Sequence, residues 1–366
     1  MVINMKANSL KNIKNYAKSK FITVGFIILF YIIGQIMIST GSMSNLMKGL
    51  LVPLCYYSIM AVSLNLTVGI LGELSLGHAG FMCIGAFSSA FFSKTTIDSI
   101  PNTALRFTLA ILIGAISAAL FGALIGVVVL RLRGDYLAIV TLAFGEIIKN
   151  VMNVLYIGKD SRGFHFSTED SISLGLEEGG TIILGGPRGI TGTPRNASFT
   201  IAVVLLILTY IIVTNLITSR SGRAIMAIRD NRIAAESVGI HITKYKLLAF
   251  AISAGLAGVA GTLYSHNIST LVATQKNFGY NMSIMILVFV VLGGMGNITG
   301  SIIAAVILTL LPEYLRFMEN YRMLIYAIVL IVMMIFNWNP KCIAWRKKYS
   351  IKGFINAQLK KDKKEA

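Results

Sequence analysis

Glu146, Lys149, Asn150 and Asn153 interrupt an apolar run at positions i, i+3, i+4 and i+7, so on a helix they share one face. A charge at the centre of a membrane-spanning helix costs about 2.5–3.5 kcal/mol on insertion scales unless it is paired or faces water. Glu146 and Lys149 are close enough to pair, and their stripe is expected to point away from lipid. Two uses fit: a polar seam that keeps helices in register, or the lining of a path for a polar solute.

A second cluster lies in N-L-T-V-G-I-L-G-E-L-S-L-G-H-A-G, where Asn65, Glu73, Ser75 and His78 alternate with Gly69, Gly72, Gly77 and Gly80. Glycines at this density permit a broken or tightly turned helix at membrane depth. Backbone N–H groups freed there can meet an anionic group, so a carboxylate-bearing solute fits. Glu73 and His78 could equally form a hydrogen-bonded pair at the membrane boundary.

The third cluster is a polar island, residues 219–246. It carries Arg220, Arg223, Arg229, Arg232, Lys244 and Lys246 beside only Asp230 and Glu236. Ser219 or Ser221 can cap a helix start, and Gly239 is suited to a helix stop. One or two short helices are expected. Their charges spread around the wheel, which favours docking on a protein over lying flat on lipid; the alternative is a solvated connector whose arginines fix topology.

Catalytic constellations are missing from the pattern. No G-x-x-x-x-G-K-[ST] occurs, and the glycines of 293–300 follow G-x-G-x-x-x-G with no βαβ unit around them. His78, His165, His241 and His266 are dispersed without metal-ligand spacing. Cys55, Cys83 and Cys342 show no paired spacing and are expected to be free thiols. The reading is a protein that is not an enzyme, with no metal and no cofactor of its own.

These side chains must be held by membrane helices. The 366 residues are 55% hydrophobic and only 13% charged, about half the charge usual in soluble domains. Ten apolar stretches approach the length needed to cross a bilayer: 21–38, 50–68, 76–92, 105–130, 136–157, 199–217, 247–268, 282–292, 300–315 and 324–337. The fold class is therefore all-α, a polytopic transmembrane bundle of about ten spans. The first stretch follows a basic segment, is long, and lacks a small-residue cleavage site, so it reads as a span and not a removed signal.

Charge orients the bundle. With the N-terminus inside, segments 1–20, 131–133, 218–246 and 340–366 face the cytoplasm and carry 22 of the 33 Lys and Arg residues. The largest outward loop, 158–198, offsets its cations with Asp160, Glu169, Asp170, Glu177 and Glu178. The net charge of +18 thus reports membrane topology and lipid contact, not nucleic-acid binding. Small residues spaced four apart, Gly122 with Gly126, Ala254 with Gly258 and Ala257 with Gly261, predict close helix packing.

Five stretches together resemble the branched-chain amino acid permease family of ABC transporters, in its LivM-type subunit. They are S-L-N-L-T-V-G-I-L-G-E-L-S-L-G-H-A-G-F from Ser63, L-R-L-R-G-D-Y-L-A-I-V-T-L-A-F-G-E-I-I from Leu130, G-G-P-R-G-I-T-G from Gly185, the island running into L-L-A-F-A-I-S-A-G-L-A-G-V-A-G-T-L-Y, and V-V-L-G-G-M-G-N-I-T-G-S from Val290. They occur in the family's order across roughly residues 50 to 315. The resemblance implies an importer's permease subunit in the cell membrane, both termini cytoplasmic, moving branched-chain amino acids or a small polar solute such as urea. Its implied partners are a second related permease, two cytoplasmic ATP-binding subunits, which use the ATP, and an extracytoplasmic solute-binding protein.

The same resemblance divides the chain into a basic N-terminal segment 1–20, a permease domain 21–338 with outer loop 158–198 and coupling segment 218–246, and a basic tail 339–366. It makes the island a coupling helix with a form of the E-A-A-x-x-x-G signature. Ala234, Ala235 and Gly239 match; Ile233 stands where the signature has Glu, and Glu236 follows. Arg223, Arg229, Asp230, Ala234, Ala235, Glu236 and Gly239 are then the expected ATPase contacts, and Asn65, Glu73, Ser75, His78, Glu146 and Lys149 the expected substrate pathway. An ion-driven secondary transporter is the alternative, with Glu146 as its acid.

Overall fold

The computed structural model describes residues 2–132, 134–177, 179–316 and 321–338. The expected basic tail 339–366, with Cys342, lies outside the described residues. Each of the ten expected spans coincides with a helix: α1 (Val2–Ser39), α2 (Asn45–Asn65), α3 (His78–Thr95), α4 (Thr103–Val129), α5 (Asp135–Val154) and α6 (Phe199–Thr218), then, beyond the island helices α7 (Arg220–Asp230) and α8 (Arg232–Ser237), α9 (Ile242–Ser265) and, past a four-residue α10 (Gln275–Phe278), α11 (Tyr280–Gly293), α12 (Ile298–Tyr314) and α13 (Arg322–Trp338). α2 continues without a break into a π-helical turn, Leu66–Leu71. Among the described residues seven helices are long and apolar enough to cross a membrane, and α12 is a shorter apolar helix. The chain divides into two compact units, Met1–Val306 and Ile307–Ala366, and the bundle described next is the first.

Helix starts follow local chemistry. The Asn102 side chain accepts from the amides of Ala104 and Leu105 to begin α4, and Ser198 Oγ accepts from Ile201 N to begin α6. α4 shows how the membrane sorts residues. Its buried face is small, with Gly114, Ala118 and Gly122, while Leu112, Ile116, Leu120 and Leu124 lie 52–65% exposed along the opposite stripe. In lipid large apolar groups gain nothing by turning inward, whereas small ones let backbones approach.

That approach occurs within this one chain. A Cβ on Gly258 of α9 would collide with the Gly114 carbonyl of α4, and one on Gly85 of α3 would collide with Gly258. The spaced small residues of the sequence are thus the crossing point of α3, α4 and α9. Ser253 Oγ donates to the Ser63 carbonyl at 2.6 Å and fastens α2 to the same core.

The two ends of the bundle differ. At one end the segment expected as an outward loop, 158–198, contributes to an antiparallel sheet ordered β2-β1-β3 from β1 (Tyr156–Asp160), β2 (Gly163–Ser167) and β3 (Thr181–Gly185). A pair of short strands, β4 (Ile190–Thr191) and β5 (Thr270–Leu271), lies beyond it. The fifth span therefore ends at Val154, and the last residues assigned to it, including Ile157, belong to β1. At the other end lie α7 and α8.

Candidate functional site

The island folds as two helices with one kink. Ser219 Oγ accepts from Gly222 N to cap α7, and Asn231 Oδ1 accepts from Ala234 N to cap α8. α8 ends where Gly239 takes φ +83, a region natural to glycine, while Ile240 N donates back to the Ala235 carbonyl. α7 buries Gly222, Ile225 and Ile228, so one face rests on the bundle.

α8 rests on that platform through one side chain, Ala235. It is buried against Ile228 and Ile242. The other matches to the signature, Ala234 and Gly239, are exposed, and so are Glu236 and Asp230. Ile233 and Val238 project outward at 81% and 74% exposure. Ala235 was expected as an ATPase contact, but its small size serves the seating of α8 on its own chain. The outward surface is instead Ile233, Ala234, Glu236 and Val238. Of the island arginines, Arg223 turns back to the Thr218 carbonyl, while Arg229 pairs with Asp230 at 2.9 Å and donates to the Gly69 carbonyl at 3.1 Å.

The glycine-rich cluster is dispersed among different partners. Asn65 is fully buried; its Oδ1 accepts from Gly296 N at 2.8 Å and its Nδ2 donates to Ser301 Oγ at 2.8 Å. His78 Nε2 bonds Ser63 Oγ at 2.7 Å, and Glu73 pairs with Lys246. The expected Glu73–His78 pair is not made, because the turn from Gly72 to Gly77 carries the two side chains to opposite partners. Ser75 is buried and its Oγ has no hydrogen-bond partner. Amides at the start of α3 are occupied from within: Leu76 N, just before the cap, donates to Thr141 Oγ1, and Ala79 N in the first turn donates to Ser283 Oγ.

Glu146 and Lys149 pair at 2.5 Å as their spacing predicts. Glu146 also accepts from the backbone N–H of Tyr280 at 2.7 Å and from Gln275 Nε2, and Lys149 reaches Gln275 Oε1. Asn153 Nδ2 donates to the Ala273 carbonyl at 2.8 Å. The seam thus caps the irregular chain before α11, where backbone groups inside a membrane require partners. Asn150, one turn from Glu146 on the same helix, is exposed. Gln275 and Lys246 belong to these sites and were not expected from the sequence; neither has a local signal, since Lys246 lies 173 residues from Glu73.

A polytopic helical bundle of the membrane-spanning type, with two short helices at one end, is the class that these elements define. The family model described as branched-chain amino acid transport system, permease component, matches residues 46–335, so the chain belongs to that family. It is 33% identical over 295 residues to the high-affinity branched-chain amino acid transport system permease protein LivM of Salmonella typhimurium, covering 78% of this chain and 67% of that protein, with the same values for LivM of Escherichia coli. The nucleoside ABC transporter permease protein NupC of Lactococcus lactis is 27% identical over 203 residues, 54% of this chain and 60% of the relative. No solved structure matches the chain. It is a LivM-type permease of an ABC importer.

Proposed function

We propose that the chain carries branched-chain amino acids inward across the cytoplasmic membrane, with its basic end and both termini in the cytoplasm. It works with a second related permease, two ATP-binding subunits, one of them docked on α8, and a solute-binding protein at the sheet end. The carrying observation is the outward pair Ile233 and Val238 on a capped helix whose small residue, Ala235, is seated inward. Apolar side chains held out of a basic, hydrated surface favour coverage by a protein partner. ATP-driven closure of that partner pair would push α7–α8 and shift the bundle between inward- and outward-open states.

Three further observations support this reading. The Lys and Arg distribution favours the island inside. Glu146 already holds a backbone amide and two side chains, which favours ATP over an ion gradient as the energy source. Asn150, uncovered beside half-buried Glu146, suits a face shared with the second permease and wetted by the pathway. The substrate class rests on the LivM relatives. Uptake by the reconstituted complex with leucine, isoleucine, valine and a nucleoside tests it: competition by the three amino acids alone is expected, and competition by the nucleoside alone would reassign the cargo. Ile233→Arg should abolish co-purification of the ATP-binding subunits; unchanged co-purification would remove α8 as the interface.

A further inference from the structure

The coupling segment touches the bundle at an unusual place. Arg229, in the last turn of α7 and three residues before α8, donates its Nη1–H to the carbonyl of Gly69 at 3.1 Å. Gly69 lies in the last turn of the π-helical stretch Leu66–Leu71 that ends α2. Carbonyls in a final turn have no partner further along the helix and form the negative end of its dipole, so a guanidinium is their natural cap. The fit is close: a Cβ on Gly72 would come within 2.6 Å of Arg229 Cγ. Beside it the buried Lys246 of α9 pairs with Glu73, two residues past the turn. Glu73, Arg229, Arg232 and Lys246 border one cleft of about 340 Å³.

The π turn is equally fixed on its other side. Asn65, at its start, accepts from the Gly296 amide and donates to Ser301, so it holds the tight turn joining α11 and α12. A Cβ on Gly69 would collide with both Asn65 Oδ1 and the Gly296 amide, so no slack separates the two contacts. A push on α8 therefore reaches Gly69 through Arg229 and passes directly to Asn65 and the α11–α12 turn. π turns in α-helices are concentrated at functional sites, where the wider ring allows a local change of register.

We propose that the π turn Leu66–Leu71 is the transmission element of the permease, with Arg229 and Lys246 as its positioning residues. They convert displacement of the coupling segment into movement of α2, α11 and α12. This rests on the docking of ATP-binding subunits at α8, and the test separates the two. The complete transporter, reconstituted in proteoliposomes with its binding protein, is assayed for ATPase co-purification, ATP hydrolysis and amino acid uptake.

Arg229→Gln should keep co-purification and at least about half of the hydrolysis, while uptake per ATP falls about tenfold or more, within the range of ordinary allosteric couplings. Arg229→Lys, which keeps a cation for the carbonyl, should recover most of that loss. Lys244→Gln, an exposed charge nearby, should change the ratio by less than about twofold. Uptake per ATP within about twofold of the parent in Arg229→Gln would overturn the transmission role while leaving docking intact; parent chains that do not retain the ATP-binding subunits would overturn docking itself. In the unmodified complex, hydrogen exchange over residues 64–74 should differ at least about threefold between nucleotide-free and vanadate-trapped states. Identical exchange would overturn the proposal whether or not the variants assemble.

Discussion

Lys149 and Lys246 are both buried lysines that meet a glutamate, yet the two pairs are built differently. Lys149 and Glu146 stand one turn apart on α5, and their spare valences are filled by Gln275 and the Tyr280 amide. Lys246 and Glu73 come from segments 173 residues apart and meet beside α7 and α8, where Glu73 keeps 17% of its side chain exposed, against 23% for Glu146. The first pair is a closed network that caps irregular backbone. The second is a single bond between two segments that alternating access would shift. One chemistry thus serves fixation in the middle of the bundle and linkage at its end, and the number of additional hydrogen bonds distinguishes them.

The sharpest way to break this comparison is to remove each lysine. Lys149→Ala removes a buried cation that meets both Glu146 and Gln275 Oε1 and should destabilise the protein by about 3–5 kcal/mol, the usual cost of breaking a buried pair. A large fall in thermal midpoint in detergent checks it. Lys246→Ala should cost less, about 1–3 kcal/mol, because it breaks one bond where Lys149→Ala breaks two, while its transport loss exceeds its stability loss. Equal midpoints for the two variants would erase the distinction. Ile233→Arg, at an 81% exposed position, should move the midpoint by less than about 0.5 kcal/mol in equivalent stability.

The smallest effect lies at the sheet end. Burial works against the charged form of Asp160, but the Arg162 amide, the His165 ring and the Glu177 amide outweigh it and hold the carboxyl below the usual aspartate range. A depressed folded value means stabilisation that is complete above the ordinary aspartate pKa of about 3.9 and is lost as pH falls below it. Proteolysis of the 160–178 loop should therefore accelerate on acidification below about pH 4. Asp160→Asn should already be accelerated at neutral pH and respond less to acid.

Much of the bundle was legible because lipid imposes a length and an apolar composition on each span, and these are local properties. The capped helices of the island were legible for the same reason: Ser219 and Gly239 act on neighbours within a turn. What depended on distant partners was not. The Glu73–Lys246 pair, the Asn65 bridge to Gly296 and the cap from Glu146 to Tyr280 join residues without any sequence periodicity. The π turn differs from an ordinary helix end by one residue per ring, which composition does not encode. The burial of Ala235 was not legible either, because a small residue in a signature gives no sign of the Ile228 and Ile242 side chains it meets. The outer sheet was missed because its strands are short and its loop is rich in glycine and charge.

The account stands on α8 being an inward-facing docking helix. A single reporter, Ile233→Cys with Cys342 replaced, can be treated with a membrane-impermeant maleimide in intact cells and in inverted vesicles; the remaining thiols, Cys55 and Cys83, are buried. The account predicts labelling in inverted vesicles only, with protection when the ATP-binding subunits are bound. Labelling in intact cells would contradict it.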